Sequence, residues 1–149
     1  MIHHPKRVAD LGRGALAVVV AMEHPGELGA AVGALTAIGI EALPARDGVE
    51  ALGIVERRAA GIGLVVADLL LPTMSGRRIC QALSWAGQTV PILLIGGYSP
   101  REVRERAAVD PNTPFLPRPW SVADLLGRVS ELLERGETGS RQSAVGSRQ

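Results

Sequence analysis

The chain is 149 residues long and carries sixteen basic against fifteen acidic side chains, for a formal net charge of +1. That length suits one domain of ordinary size and excludes two large ones, and 46% hydrophobic with 21% charged residues is too apolar a mixture for disorder throughout. Near-neutral charge with scattered basic residues argues against direct nucleic-acid binding, and no apolar run approaches the roughly 18 residues of a membrane span, the longest being Ala15 to Met22.

Residues 1–14 hold His3, His4 and the first lysine and arginines without an apolar period, and are expected to form a disordered tail. Two adjacent histidines on such a terminus lack the further ligands that a metal site requires. Lys6, Arg7 and Arg13 ahead of the apolar run imitate a signal peptide, but the run is short for that purpose and is needed as the first strand. Strands are predicted over Leu16 to Met22, Ala42 to Ala45, Leu64 to Ala67, Ile92 to Ile95 and Pro114 to Leu116. Most lack polar alternation, the mark of parallel strands buried on both faces.

Helical spacing fills the gaps, with Leu28, Ala31, Val32, Leu35 and Ile38 in the first helix and Val122, Leu125, Leu126, Val129, Leu132 and Leu133 in the last. Asp47 with Glu50, Ser99 with Glu102, and Ser121 with Asp124 each set a capping oxygen three residues before an acid. Pro25 and Pro100 suit a first helical position. Cys80, the single cysteine, permits no intramolecular disulfide and points to a reducing, cytoplasmic setting. It falls in the third helix and reads as an inert thiol. Residues 137–149, with Gly-Ser-Arg-Gln written twice, are expected to be a second disordered tail, which leaves a mildly acidic domain over 15–136.

Five alternating strand–helix units predict an open α/β fold, a doubly wound parallel sheet whose ligands bind at the carboxyl ends of the strands. Met22 and Glu23, Asp68, Gly96 and Gly97, and Arg118 stand at those ends. Asp68 and Glu23 each have an ordinary reading as a loop or cap residue. Together, at adjacent strand ends, two carboxylates can offer oxygens to Mg²⁺, and Arg118, between Pro117 and Pro119, adds a fixed positive charge.

The stretch Leu64-Val65-Val66-Ala67-Asp68-Leu69-Leu70-Leu71-Pro72-Thr73-Met74-Ser75-Gly76 resembles the phosphoacceptor strand and loop of receiver domains in bacterial two-component response regulators. Asp47 to Leu52, Pro91 to Pro100 and Phe115 to Trp120 support the likeness, which covers about residues 15 to 136. The resemblance implies a flavodoxin-like, CheY-like (βα)5 fold with strand order 2-1-3-4-5. It also implies a signalling module rather than an enzyme, with Asp68 accepting a phosphoryl group from a histidine kinase or phosphotransfer protein and passing the signal to a downstream protein. A homodimer is among the assemblies it allows. Glu23, Asp68 and the backbone carbonyl of Leu70 match the Mg²⁺ ligands, and Phe115 matches the aromatic switch position, though a strand Phe is ordinarily core.

Met22 stands where the family has its first acid, Gly96 where it has Thr or Ser, and Arg118 where it has Lys. Loss of an acid predicts weak Mg²⁺ binding. Gly96 removes a hydroxyl contact to the phosphoryl group worth roughly 1.5–3 kcal/mol, and Arg118 brings a planar fork able to pair with Asp68 directly. A second reading is therefore a pseudo-receiver that docks or dimerises without phosphorylation. A third, a small-molecule domain built on Gly96-Gly97, is weakest, because the Asp-x-His-x-x-Gly signature of cobalamin domains is replaced at Met22 and Glu27. Only a polar tail follows Arg135, so a stand-alone receiver is expected.

Overall fold

A computed structural model describes residues 16–85 and 90–146. Five strands, β1 (Ala17–Ala21), β2 (Ala42–Ala45), β3 (Ile62–Asp68), β4 (Ile92–Gly96) and β5 (Phe115–Pro117), form one parallel sheet in the order β2-β1-β3-β4-β5. Helices α1 (Pro25–Ala37), α2 (Gly48–Arg58), α3 (Gly76–Trp85), α4 (Pro100–Ala107) and α5 (Val122–Gly146) alternate with them, as the sequence periods predict.

Alternation along the central strands divides the core in two. Val18, Val20, Met22, Leu64, Val66, Leu93 and Ile95 pack against Leu28 and Leu35 of α1 and Leu125 and Val129 of α5. Ala17, Val19, Ala21, Val65, Ala67 and Leu94 face Ala51 and Val55 of α2 and Ile79 and Leu83 of α3. Every residue of β1, β3 and β4 is buried, which explains why these strands carry no polar face. Burying each such Leu or Val contributes roughly 1.5–3 kcal/mol.

The three expected caps form. Ser99 and Glu102 make a complete capping box on α4, Asp47 accepts from the amide of Glu50 at 2.8 Å while Glu50 accepts from that of Arg46 at 2.9 Å, and Ser121 and Asp124 exchange the equivalent pair. Pro25 and Pro100 sit at their helix starts.

Strand limits differ in places from the sequence reading. β3 begins at Ile62 rather than Leu64, because Gly63 is a strand residue whose added Cβ would meet Leu16 and Leu133 within 3.0 Å. β1 is trimmed to Ala17–Ala21, and β5 shifts to Phe115–Pro117. α5 runs over Val122–Gly146. The tail expected over 1–14 and the last residues, 147–149, lie outside the described residues. Among the described residues, no helix is long and apolar enough to cross a membrane.

The loop after β3 is docked on the start of α2. The Gly48 amide donates to the Pro72 carbonyl at 3.2 Å, and a Cβ on Gly48 would lie 2.0 Å from the Met74 carbonyl oxygen. Gly76 permits a second close approach: its Cβ would fall 2.6 Å from the Asp68 carbonyl oxygen. These two glycines let the loop fold back beside the end of β3.

Candidate functional site

Asp68 is the last residue of β3 and the one charged residue buried with the core among the described residues, at 3% exposure. One carboxylate oxygen, Oδ2, accepts from the backbone amide of Glu23 at 3.3 Å. The other, Oδ1, accepts from Nη2 of Arg118 in a direct ion pair. Arg118 leaves the end of β5, where its own amide donates to the Gly96 carbonyl at 3.0 Å. The sheet thus delivers a carboxylate and a guanidinium from separate strands to the same point.

Arg118 is held from behind. Its Nε and Nη2 donate to Oε2 and Oε1 of Glu27 at 3.0 and 2.9 Å, a two-pronged contact that suits a guanidinium and not an ammonium. Trp120 fixes the same carboxylate through its indole N–H, 2.7 Å from Oε2. Glu102, engaged by the Gly97 amide at 2.8 Å, brings its Oε2 to 4.0 Å from Nη1. Three carboxylates therefore surround one cation. Beside it, His24, Ala30, Pro119 and Val122 help Glu27, Arg118 and Trp120 line an open hollow of about 710 Å³.

The titration of these groups follows from their surroundings. Burial pushes the Asp68 carboxyl up to about 6, and the charge and hydrogen bond of Arg118, with the Glu23 amide, pull it only part of the way back. Burial also acts to raise Glu27, but the hydrogen bond and charge of Arg118 and the Trp120 contact outweigh it and hold Glu27 below its ordinary value. Glu102 is lowered chiefly by the Gly97 amide and the Ser99 contacts. Arg118 is raised, because its carboxylate partners overcome its desolvation. At neutral pH the site holds an ionised Asp68 that is poorly solvated and shares its counter-charge with Glu27.

Of the residues singled out from sequence, Asp68, Arg118 and the Glu23 backbone converge; the others stand apart. Met22 is fully buried against α1 and α5 and offers nothing to the site. Gly96 lies under Leu69: a Cβ there would come within 2.6 Å of Leu69 Cδ1. Leu69, itself fully buried, therefore fills the space into which a residue 96 side chain would grow. Phe115 is half-buried against the second core cluster, with the Arg106 guanidinium 3.6 Å from its ring centroid and Tyr98 edge-on at 6.4 Å. Leu70 follows Asp68 in the loop and packs on the same cluster. Cys80 is partly buried, with its thiol pushed up to about 11 by desolvation, as expected of an unreactive group.

Glu27 was not among the expected site residues. The available signal was its place in the first turn of α1, the helix that follows Glu23 at the carboxyl end of β1. Glu102 was legible as a cap, but not as a neighbour of Arg118.

Residues 18–130 match the family model described as the response regulator receiver domain. The chain belongs to that family. Receiver domains are signalling modules rather than typical enzymes, and they generally bind Mg²⁺ at the phosphorylation site. The chain is 29% identical over 130 residues to the sensor kinase CckA of Brucella abortus, covering 87% of this chain and 14% of that protein. To the response regulator MprA of Mycobacterium leprae it is 36% identical over 103 residues, covering 68% of this chain and 43% of that one. It therefore spans less than half the length of either curated relative. The structure of the Vibrio cholerae chemotaxis protein CheY4 matches with a TM-score of 0.66 and 27% identity, over 79% of this chain and 99% of that one.

Against this background the donor set of the receiver pocket fits a divalent cation poorly. Mg²⁺ is commonly held by one or two carboxylates, with waters completing its shell. Here the guanidinium already pairs with one oxygen of Asp68 and Met22 supplies no oxygen, while Glu23 is exposed and reaches Asp68 only through its backbone amide. Among the described residues no group of three or more His, Cys, Asp or Glu side chains is placed to hold a metal ion.

Proposed function

We propose that this receiver domain accepts a phosphoryl group on Asp68 from a histidine kinase or phosphotransfer protein of a two-component system and passes the signal on through protein contacts. The observation that carries the proposal is the ionised, desolvated Asp68 carboxylate at the end of β3 with Arg118 directly upon it. In-line attack by one carboxylate oxygen forms the O–P bond as the donor's P–N bond breaks. The donor imidazole departs neutral with the electron pair, its other nitrogen already carrying a proton. Charge that develops on the phosphoryl oxygens meets the guanidinium, which is already positioned.

The acyl phosphate carries more negative charge than the carboxylate it replaces, so Arg118 has reason to redistribute its contacts among Asp68, Glu27 and Glu102. No hydroxyl is present at residue 96 to follow the phosphoryl group, and Phe115, capped by Arg106, is a core residue first and a switch only through movement of β5. Exposed Tyr98 and Val103 beside α4 offer apolar surface for a downstream protein or a second copy of the chain.

Intact-mass spectrometry after incubation with acetyl phosphate in Mg²⁺ buffer tests the acceptor directly. One phosphoryl adduct is expected on the wild type and none on Asp68→Asn. An unmodified wild type, also inert toward phosphorylated histidine kinases, would remove the proposal.

A further inference from the structure

Arg118 differs from an ordinary surface counter-ion in how it is held. It enters from β5, pairs with Asp68, and is gripped at Nε and Nη2 by Glu27, whose carboxylate is itself fixed by Trp120. Glu102 adds a further negative charge at 4.0 Å. A guanidinium keeps its charge at every physiological pH and cannot be neutralised to make room. A divalent ion approaching Asp68 would meet this fixed positive charge at close range on Oδ1 and the Glu23 amide on Oδ2. Of the acids around it, Glu27 and Glu102 face the guanidinium, and Glu23, which matches a Mg²⁺ ligand of the family, is exposed and reaches Asp68 only through its backbone amide.

We infer that Arg118, tethered by Glu27 and Trp120, occupies the role of the divalent cation: the pocket carries a built-in counter-charge for Asp68 and excludes Mg²⁺ while that tether is intact. Glu27 and Trp120 are then positioning residues that act through Arg118. The inference deepens the acceptor reading and depends on it for its meaning in signalling, but its test uses no phosphoryl donor, so the two can fail separately.

The test is isothermal titration calorimetry with MgCl₂ on the unphosphorylated protein. Wild type is expected to show no saturable binding at millimolar Mg²⁺. Arg118→Met, which keeps much of the apolar stem while removing the charge, is expected to gain saturable binding at least about tenfold tighter than wild type, and Asp68→Asn on that background should abolish it. Glu27→Gln loosens the tether and should give a smaller gain in the same direction. Circular dichroism checks that each variant is folded. Saturable Mg²⁺ binding by wild type that disappears in Asp68→Asn overturns the inference without any Arg118 variant. A folded Arg118→Met that gains nothing overturns the claim that Arg118 is the excluding group.

Discussion

Two sides of the receiver pocket have gone in opposite chemical directions. At the end of β1, Met22 is buried among α1 and α5 side chains, and the neighbouring Glu23 reaches Asp68 only through its backbone amide. On the side of β5 and the first turn of α1, Glu27, Glu102 and Asp68 gather around Arg118. Acids at the helix starts join Asp68 around a counter-ion that is covalently part of the chain. The contrast teaches that this pocket is best understood by where its charge sits, and not by which residues match a pattern.

The largest effect is expected from forcing charge back to the apolar side. Met22→Asp places a carboxyl in a fully buried apolar position and should destabilise the fold by about 3–5 kcal/mol, read as a drop in the urea midpoint. A variant as stable as wild type would show that this side still has room for an acid.

Gly96→Thr comes next, because its Cβ and branches must displace Leu69. A loss of about 1–3 kcal/mol is expected, with Leu69→Ala on the same chain recovering part of it in a double-mutant cycle. Strict additivity of the two substitutions would show that Leu69 is not what fills the space.

The smallest effect concerns Asp68 itself. Folded Asp68 titrates at about 6, against an ordinary value of 3.8, so between those values the folded chain keeps a proton that the unfolded chain has lost. The contribution of this carboxyl to stability therefore falls as pH rises through that window and stays low above it, by at most about 3 kcal/mol. Asp68→Asn, which cannot ionise, should be more stable than wild type at pH 8 by about 1–2 kcal/mol, allowing for the lost charge on Arg118. That advantage should shrink on acidification toward pH 4. Thermal unfolding of both proteins across that range gives the difference, and an advantage independent of pH would assign it to something other than ionisation.

Much of this was legible in one dimension. The sheet order and the placement of Asp68 followed from a family likeness concentrated in Leu64 to Gly76, and the capping pairs on α2, α4 and α5 were local enough to read directly. Gly63 hid the start of β3 because a glycine breaks an apolar run even where the space around it demands one. The pairing of Arg118 with Asp68 was foreseeable from the two strand ends. Its tether was not: Glu27 lies 91 residues from Arg118 and Trp120 lies 93 residues from Glu27. A contact of that kind leaves no periodic trace, and the shape of Leu69 over Gly96 leaves none either.

The most direct test of the built-in counter-charge is a phosphorylation time course followed by intact mass, with acetyl phosphate supplied once in Mg²⁺ and once in excess EDTA. A phosphoryl adduct on Asp68 is expected in both, at rates within about threefold of each other, since the neutralising charge is Arg118 and not a metal. An adduct that forms in Mg²⁺ and not in EDTA would contradict it.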